Sequence, residues 1–170
     1  MKKLSNTGMR KQEAGFTLIE LIVVIVILGI LAATALPKFA DLGGDARKAS
    51  LAAVKGSLSA MSSMVHGKYL INPSSNTTVT VEGTALVLSN GYPDAALATL
   101  APAAGINAAD YTIVAASASA GTGTPSTGTD EQAFVPVSVS GVAAGLTCYV
   151  RYKNATSSVP PVITVVNTGC

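Results

Sequence analysis

Apolar and polar positions change their spacing twice along this chain, and each change announces a different kind of element. From Phe16 to Leu36 nearly every residue is apolar, with Glu20 as the one ionisable side chain. Such a run of ~21 residues, wound as an α-helix, spans about 31 Å, the thickness of a bilayer's hydrocarbon core. Further on, "DARKASLAAVKGSLSAMSSMVHGKYL" sets Leu51, Val54, Leu58, Met61 and Val65 at steps of three and four. One stripe of that helix is therefore apolar, while serines, Lys48 and Lys55 occupy the other faces. A stripe of barely two heptads fits packing on a sheet better than a coiled-coil seam. Between the two halves, Pro37 removes a backbone donor and disfavours helix at Leu36, so a bend or local break is expected there. Gly29 is a second weak point, and Gly43-Gly44 a third.

After Ile71 the period becomes two. Asn72-Pro73 marks a turn. "TTVTVEGTALVLSNGYP" reads as a strand or short hairpin, and "YTIVAASAS", "AFVPVSVS", "LTCYVRY" and "PVITVVN" as further strands. Pro136 and Pro161 suit edges or strand starts. "AGTGTPSTGTDEQ" reads as a loop with little to bury. A long helix followed by three to five antiparallel strands predicts an α+β head, with the amphipathic helix laid across one sheet face.

Composition narrows the function classes. The 170 residues suit one compact domain plus extensions. Only 12% of them are charged, well below the usual share of about 25%, which leaves little ionisable material for catalysis. Lys2, Lys3, Arg10 and Lys11 all precede Gly15, against Glu13 alone. Beyond Gly15 the basic and acidic side chains nearly balance, so nothing resembles the clustered cations that bind nucleic acid. The basic stretch would stay cytoplasmic beside a membrane helix.

Cys148 and Cys170 sit at the far end of the chain. Two unrelated thiols are one reading. Beyond an export-type N-terminus, a disulfide formed in an oxidising compartment is the better one. It would close a loop of roughly 20 residues, constrain the unfolded chain by about 3 kcal/mol, and fasten a segment prone to fray.

Three readings compete for the N-terminal run. A secretory signal peptide is disfavoured by its length, although "LAATA" at 31–35 imitates a cleavage site. A plain membrane anchor explains the length but leaves Glu20 without a reason. The third reading begins from "GFTLIE" followed by the aliphatic run. This closely resembles the class III signal of type IV pilins and pseudopilins, over Gly15 to about Lys38. The match combines Gly15 before the cut, Phe16 after it, Glu20 at the fifth mature position, Gly29 within the helix and Pro37 near its exit.

The resemblance implies that an inner-membrane prepilin peptidase cuts between Gly15 and Phe16 and that Phe16 is then N-methylated. The greasy helix would stay in the mature protein. It also implies a role for Glu20. An ionised side chain at depth needs a partner, and the new Phe16 amine of a neighbouring subunit would be that partner, setting register during assembly. Gly29 and Pro37 would lend the filament helix local extensibility. The implied fold is the pilin ladle, an α+β arrangement in which a long N-terminal helix packs on an antiparallel sheet head with a C-terminal disulfide loop. The expected divisions are 1–15 as cleaved leader, 16–36 as transmembrane and assembly helix, 37–71 as amphipathic helix and 72–170 as β-rich head. A start at Met9 would give a leader of more usual length for this subclass. Ala52, Ala53, Ser59 and Ser63, off the apolar stripe, would let neighbouring subunits approach closely. The stretch from Phe16 to about Ile71 resembles pilins of the mannose-sensitive haemagglutinin type.

Catalytic and metal-binding readings find little support. His66 is the only histidine, so a His cluster is impossible, and a surface or capping role at a helix end is expected. Asp41 and Asp45 read as solvated helix charges beside Lys38, Arg47 and Lys48. Asp110, Asp130 and Glu131 lack the dense oxygen spacing of a calcium loop, a feature of major pseudopilins. "GTGTPSTG" has no Lys-Ser/Thr following it, so it is a poor phosphate cradle. Asn76 and Asn154 begin N-glycosylation-type triplets, and the Ser/Thr-rich 117–129 loop offers hydroxyls for sugar attachment.

The expectation is a non-enzymatic major pilin with no cofactor and no metal. Its partners would be other copies of itself, the prepilin peptidase, the inner-membrane assembly machinery and an unidentified surface or host-cell receptor. It would lie in the inner membrane as precursor and then in an extracellular pilus serving adhesion and biofilm formation. The alternatives are a pseudopilin of type II secretion, or a minor tip pilin binding carbohydrate or DNA.

Overall fold

The computed structural model describes residues 15–71, 73, 77–96 and 98–170, with the backbone alone described at 40 and 41. The leader up to Ala14, Asn72 of the expected turn and Asn76 of one triplet lie outside the described residues, as does the side chain of Asp41. Helix α1 runs Leu18–Ile71. It is followed by β1 (Thr78–Val81), β2 (Thr84–Ser89), β3 (Tyr92–Pro93), α2 (Leu100–Ala103), β4 (Tyr111–Val114), β5 (Glu131–Pro136), β6 (Tyr149–Lys153) and β7 (Val162–Val166). A 3-10 turn at Ala143–Thr147 precedes β6. The chain forms two compact units, Met1–Asp41 and Leu42–Cys170.

In the first unit, α1 is helical without interruption through Gly29 and Pro37. The expected break at Pro37 is therefore absent, as is one at Gly43-Gly44. A proline deletes one hydrogen bond, here to the Ala33 carbonyl, and hinders the residue before it. The remaining bonds of a 54-residue helix hold the turn.

In the second unit the stripe does what its spacing predicts. Leu51, Val54, Leu58, Met61 and Val65 are all buried, in one cluster with Val79, Leu86, Phe134, Val150 and Tyr152 from the strands. Ala52, Ala53, Ser59 and Ser63 are exposed.

The head differs from expectation in strand number. Among the described residues, seven strands form two antiparallel sheets, β1-β2-β3 and β4-β5-β6-β7. Two tight turns build the first. Glu82 (φ 48°) and Gly83 (φ 77°) link β1 to β2, and Asn90 (φ 54°) and Gly91 (φ 79°) link β2 to β3. Positive φ at both central residues makes each a type I′ hairpin, whose twist suits the flanking strands. Gly91 is doubly required, because a Cβ there would lie 2.6 Å from the Tyr69 ring. In the second sheet, Tyr111 pairs with Pro136 and Tyr149 with Val166. Gln132 to Pro136 are all buried, so both faces of β5 are covered.

The 120–132 segment also departs from its reading. Gly123, Pro125 and Thr127 are buried. The Thr127 hydroxyl donates to the Ala115 carbonyl at 2.5 Å and accepts from the Ala118 N–H at 3.1 Å. A Cβ on Gly145 would lie 2.1 Å from the Gly123 carbonyl oxygen, and a Cβ on Gly123 (φ 72°) would lie 2.4 Å from the Gly141 nitrogen. Two glycines distant in sequence dock a loop that hydropathy alone treats as solvent-facing.

Tyr152 links the sheets: its buried hydroxyl donates to the Pro93 carbonyl at 2.8 Å. Burial, more than any neighbouring charge, pushes this phenol's pKa well above its ordinary value. The sign follows directly. The folded state holds the proton more tightly, so stability is full below the unfolded pKa of about 10 and falls as pH rises beyond it, by about 1.4 kcal/mol per pH unit. Tyr152→Phe is expected to remove that component of the alkaline loss while costing about 1 kcal/mol at neutral pH for the lost hydrogen bond. Denaturant melts at pH 7 and pH 11 check both; an unchanged alkaline slope would contradict the assignment.

Candidate functional site

The start of α1 is built by its own sequence. Thr17 precedes the first helical residue and Glu20 lies three residues on, the Thr-x-x-Glu arrangement of a capping box. The Glu20 carboxylate accepts from the Thr17 N–H at 2.9 Å and from its hydroxyl at 2.6 Å, while the Thr17 Oγ1 faces the Glu20 N–H at 3.4 Å. Both contacts of the carboxylate use its Oε2. An acidic group at this end also complements the helix dipole. Thr17 is the residue that the sequence reading passed over, although the capping signature lies in "TLIE" itself.

Phe16 is 90% exposed, and the large apolar side chains from Leu18 to Leu36 are exposed with it. An 18-residue window of this helix has a mean hydropathy of 2.8, so α1 is long and apolar enough to cross a membrane. A Cβ on Gly15 or Gly29 would meet nothing within 4 Å. Among the described residues, then, nothing makes a packing demand of either glycine. Thr34 donates to the Leu31 carbonyl at 3.0 Å, one turn before Pro37. Phe16 and Thr17 therefore stand just before the first turn of α1, which carries Glu20, while Gly29 and Pro37 lie farther along the same rod.

Cys148 and Cys170 form a disulfide in the second unit, with 5.0 Å between their Cα atoms. It is reinforced from α1, where Arg47 donates through Nε at 2.9 Å and through Nη2 at 2.5 Å to the Cys170 carbonyl oxygen. Gly44 lets that segment approach, since a Cβ there would lie 3.1 Å from the same oxygen. Partners 123 residues apart leave no local signature.

Several of the remaining ionisable groups are committed to one another. Glu131 pairs with Arg151 at 3.5 Å and with Lys153 at 3.5 Å, Asp130 with Lys153 at 3.6 Å, and Asp45 with Lys48 at 3.3 Å. Among the described residues no group of three His, Cys, Asp or Glu side chains is gathered to hold a metal ion. Asn154 of the second triplet is tied down: its Oδ1 accepts from the Ala95 N–H at 2.6 Å and its Nδ2 donates to Asp94 at 2.7 Å. That amide serves as a clip to the β3–α2 connection.

Residues 10–36 match a family model described as the prokaryotic N-terminal methylation motif. The chain is also similar to the type IV narrow pilus major component PilA5 of Thermus thermophilus, with 60% identity over 37 residues, which is 22% of this chain and 32% of that protein. The match thus spans about a third of that relative's length. No solved structure matches the chain significantly.

Proposed function

We propose that this chain, a type IV pilin by its N-terminal methylation segment, is a structural pilus subunit that polymerises through the first half of α1. One observation carries the reading: a capped, exposed apolar rod begins directly at the methylation motif. In lipid such a rod is solvated by acyl chains, and in a filament it would be solvated by other copies of itself. Residues 1–15 would be removed as leader, 16–36 would serve as membrane and then assembly helix, 37–71 would carry the helix into the head, and 72–170 would form the filament surface.

The chemistry of each residue fits this sequence of events. Cleavage after Gly15 creates the Phe16 amine. Glu20 already holds its own Thr17 through Oε2, which leaves Oε1 for the amine of a neighbouring copy. Such a pair supplies alignment more than net stability, because desolvation opposes the Coulomb attraction. Gly29 and Pro37, not required by packing in the single chain, would be places where the rod can stretch. The precursor would reside in the inner membrane with the peptidase and assembly machinery, and the product would be an extracellular fibre for surface attachment and biofilm initiation. A mannose-sensitive haemagglutinin-type major pilin is the finer form of this reading.

Mass spectrometry of sheared surface material tests the reading. A dominant protein beginning at methylated Phe16 is the expected result; trace abundance would favour a tip subunit, and its absence from fibres a secretion pseudopilin. Gly15→Val is expected to block processing almost completely, leaving a slower-migrating precursor on a gel. Because a Cβ on Gly15 would meet nothing within 4 Å among the described residues, that effect would belong to the peptidase's demand for a small residue. Normal maturation of the variant would remove the cleavage site from this position.

A further inference from the structure

The turn between β2 and β3 carries a reactive dipeptide that has no part in assembly through α1. Asn90 is the one asparagine of this chain followed by glycine, and it lies exposed at the tip of the turn. We propose that Asn90 is a site of spontaneous deamidation, gated by its hydrogen bond to the β6–β7 side of the head, and that the reaction releases this tie.

The chemistry needs only water. Loss of the Gly91 amide proton to hydroxide lets that nitrogen attack Cγ of Asn90. A C–N bond closes a cyclic imide, the Cγ–Nδ2 bond breaks, and Nδ2 takes up a proton and leaves as ammonia. Water then adds to either imide carbonyl, and ring opening gives aspartate or isoaspartate with no oxidation or reduction. Glycine is the favourable neighbour because it has no Cβ to obstruct the approach. At every other asparagine the next residue is threonine, alanine or proline. Threonine and alanine crowd the attack, and the proline after Asn72 has no N–H to lose.

Three restraints hold the folded turn away from ring closure. The Nδ2 that must leave donates to the Ala155 carbonyl at 2.9 Å. Ala155 is buried, so the anchor belongs to the packed part of the head. Ser89 pairs with Tyr92 across the turn, and that pairing keeps Asn90 and Gly91 at the positive φ of a type I′ hairpin. Finally, the Gly91 carbonyl accepts from His66 Nδ1 at 3.1 Å, and the His66 ring is stacked on Tyr92 with centroids 3.9 Å apart. Attack requires a rotation that carries the Gly91 nitrogen to Cγ of Asn90, and each restraint opposes it.

The product cannot restore the contact. The amide offers N–H donors to Ala155, whereas a carboxylate only accepts. Conversion therefore sets an anionic oxygen against a carbonyl oxygen and deprives that carbonyl of this donor. Isoaspartate also adds a methylene to the backbone of a two-residue turn, where loop length fixes the register of the strands. Asn90 and the exposed residues 156–160 line the same cavity of about 420 Å³. Loop 156–160 is braced from within, since the Thr156 Oγ1 accepts from the Val159 N–H at 3.1 Å. After the reaction that brace remains while the tie from Asn90 is lost, so one exposed face of the head is reshaped.

The test incubates the full chain in detergent micelles at neutral and mildly alkaline pH, natively and in urea that unfolds the head. Peptide mapping by mass spectrometry follows amide-to-acid conversion at every asparagine, and labelling by an isoaspartyl methyltransferase identifies isoaspartate. In urea Asn90 should convert first; its native rate should be measurable but at least about tenfold lower. Thr156→Ala, which loosens the loop next to the acceptor, should raise the native rate severalfold and leave the urea rate and the thermal melt unchanged. Asn90→Asp, a stand-in for one product, should shift the amide NMR signals of Ala155 to Val159. No native conversion, equal native and urea rates, or another asparagine converting first would each overturn the assignment. So would a Thr156→Ala rate that stays at the parent value or rises only with a lowered melt, or an Asn90→Asp spectrum matching the parent at Ala155 to Val159. The assay reads the single chain, so its outcome is independent of whether the chain builds a fibre.

Discussion

Glu20→Ala is expected to leave processing at Gly15 intact and to reduce surface fibres by about 100-fold or more. In the proposed filament the variant strands the Phe16 amine of each neighbour without a partner. Removing one member of a buried charge pair costs about 3–5 kcal/mol, because the survivor keeps its desolvation penalty. Each 1.4 kcal/mol is tenfold in an association constant, so a few such contacts suffice to stop growth. The capping geometry adds a control. Glu20→Gln keeps an oxygen able to accept from Thr17 at 2.9 Å and remains a competent capping-box residue, yet carries no charge. Both variants should therefore fail to assemble while only the alanine variant frays the helix start. Sheared-fibre yield, electron micrographs and an anti-head immunoblot for mature subunit provide the readout. Abundant fibres from Glu20→Gln would reduce this carboxylate to a helix cap and remove its role in register.

The second large effect concerns the far end of the head. Cys148→Ser, or full reduction, should lower the stability of the head by about 3 kcal/mol, and its Tm by roughly 10 °C. The bridge closes a separation of 22 residues that contains β6 and β7, and Cys148 is fully buried. Arg47→Met should cost less, about 1.5 kcal/mol, because it removes charge-assisted hydrogen bonds but leaves the covalent link. Urea melts of the full chain with and without reductant measure both. A Cys148→Ser variant as stable as the parent would mean that packing around Tyr149, Val150 and Tyr152 holds this region unaided.

Local chemistry explains which features could be read in advance. The stripe from Leu51 to Val65 was legible because helical periodicity depends only on spacing, and each of its members is buried. The positions of β6 and β7 were visible in "CYVRY" and "PVITVV" for the same reason. Two other signals were present but unused: Asn90-Gly91, which turns β2 into β3 and adds a strand, and Thr17-x-x-Glu20, which caps α1. At Pro37 the helix runs on without a break, because a lone proline weakens a helix locally, whereas the length on both sides decides whether the turn survives.

By itself the sequence determined the elements and the polarity of the chain: a membrane-length apolar rod with one carboxylate, an amphipathic continuation, and a β-rich remainder ending in two cysteines. These follow from short-range rules of period, capping and transfer from water. Only the tertiary structure decided what depends on encounters across the chain: the split into two sheets, the docking of Gly123 on Gly145, the grip of Arg47 on Cys170, and the meeting of His66 with Tyr92. Such contacts arise from the three-dimensional packing of distant segments, and no periodicity along a single strand of sequence encodes them.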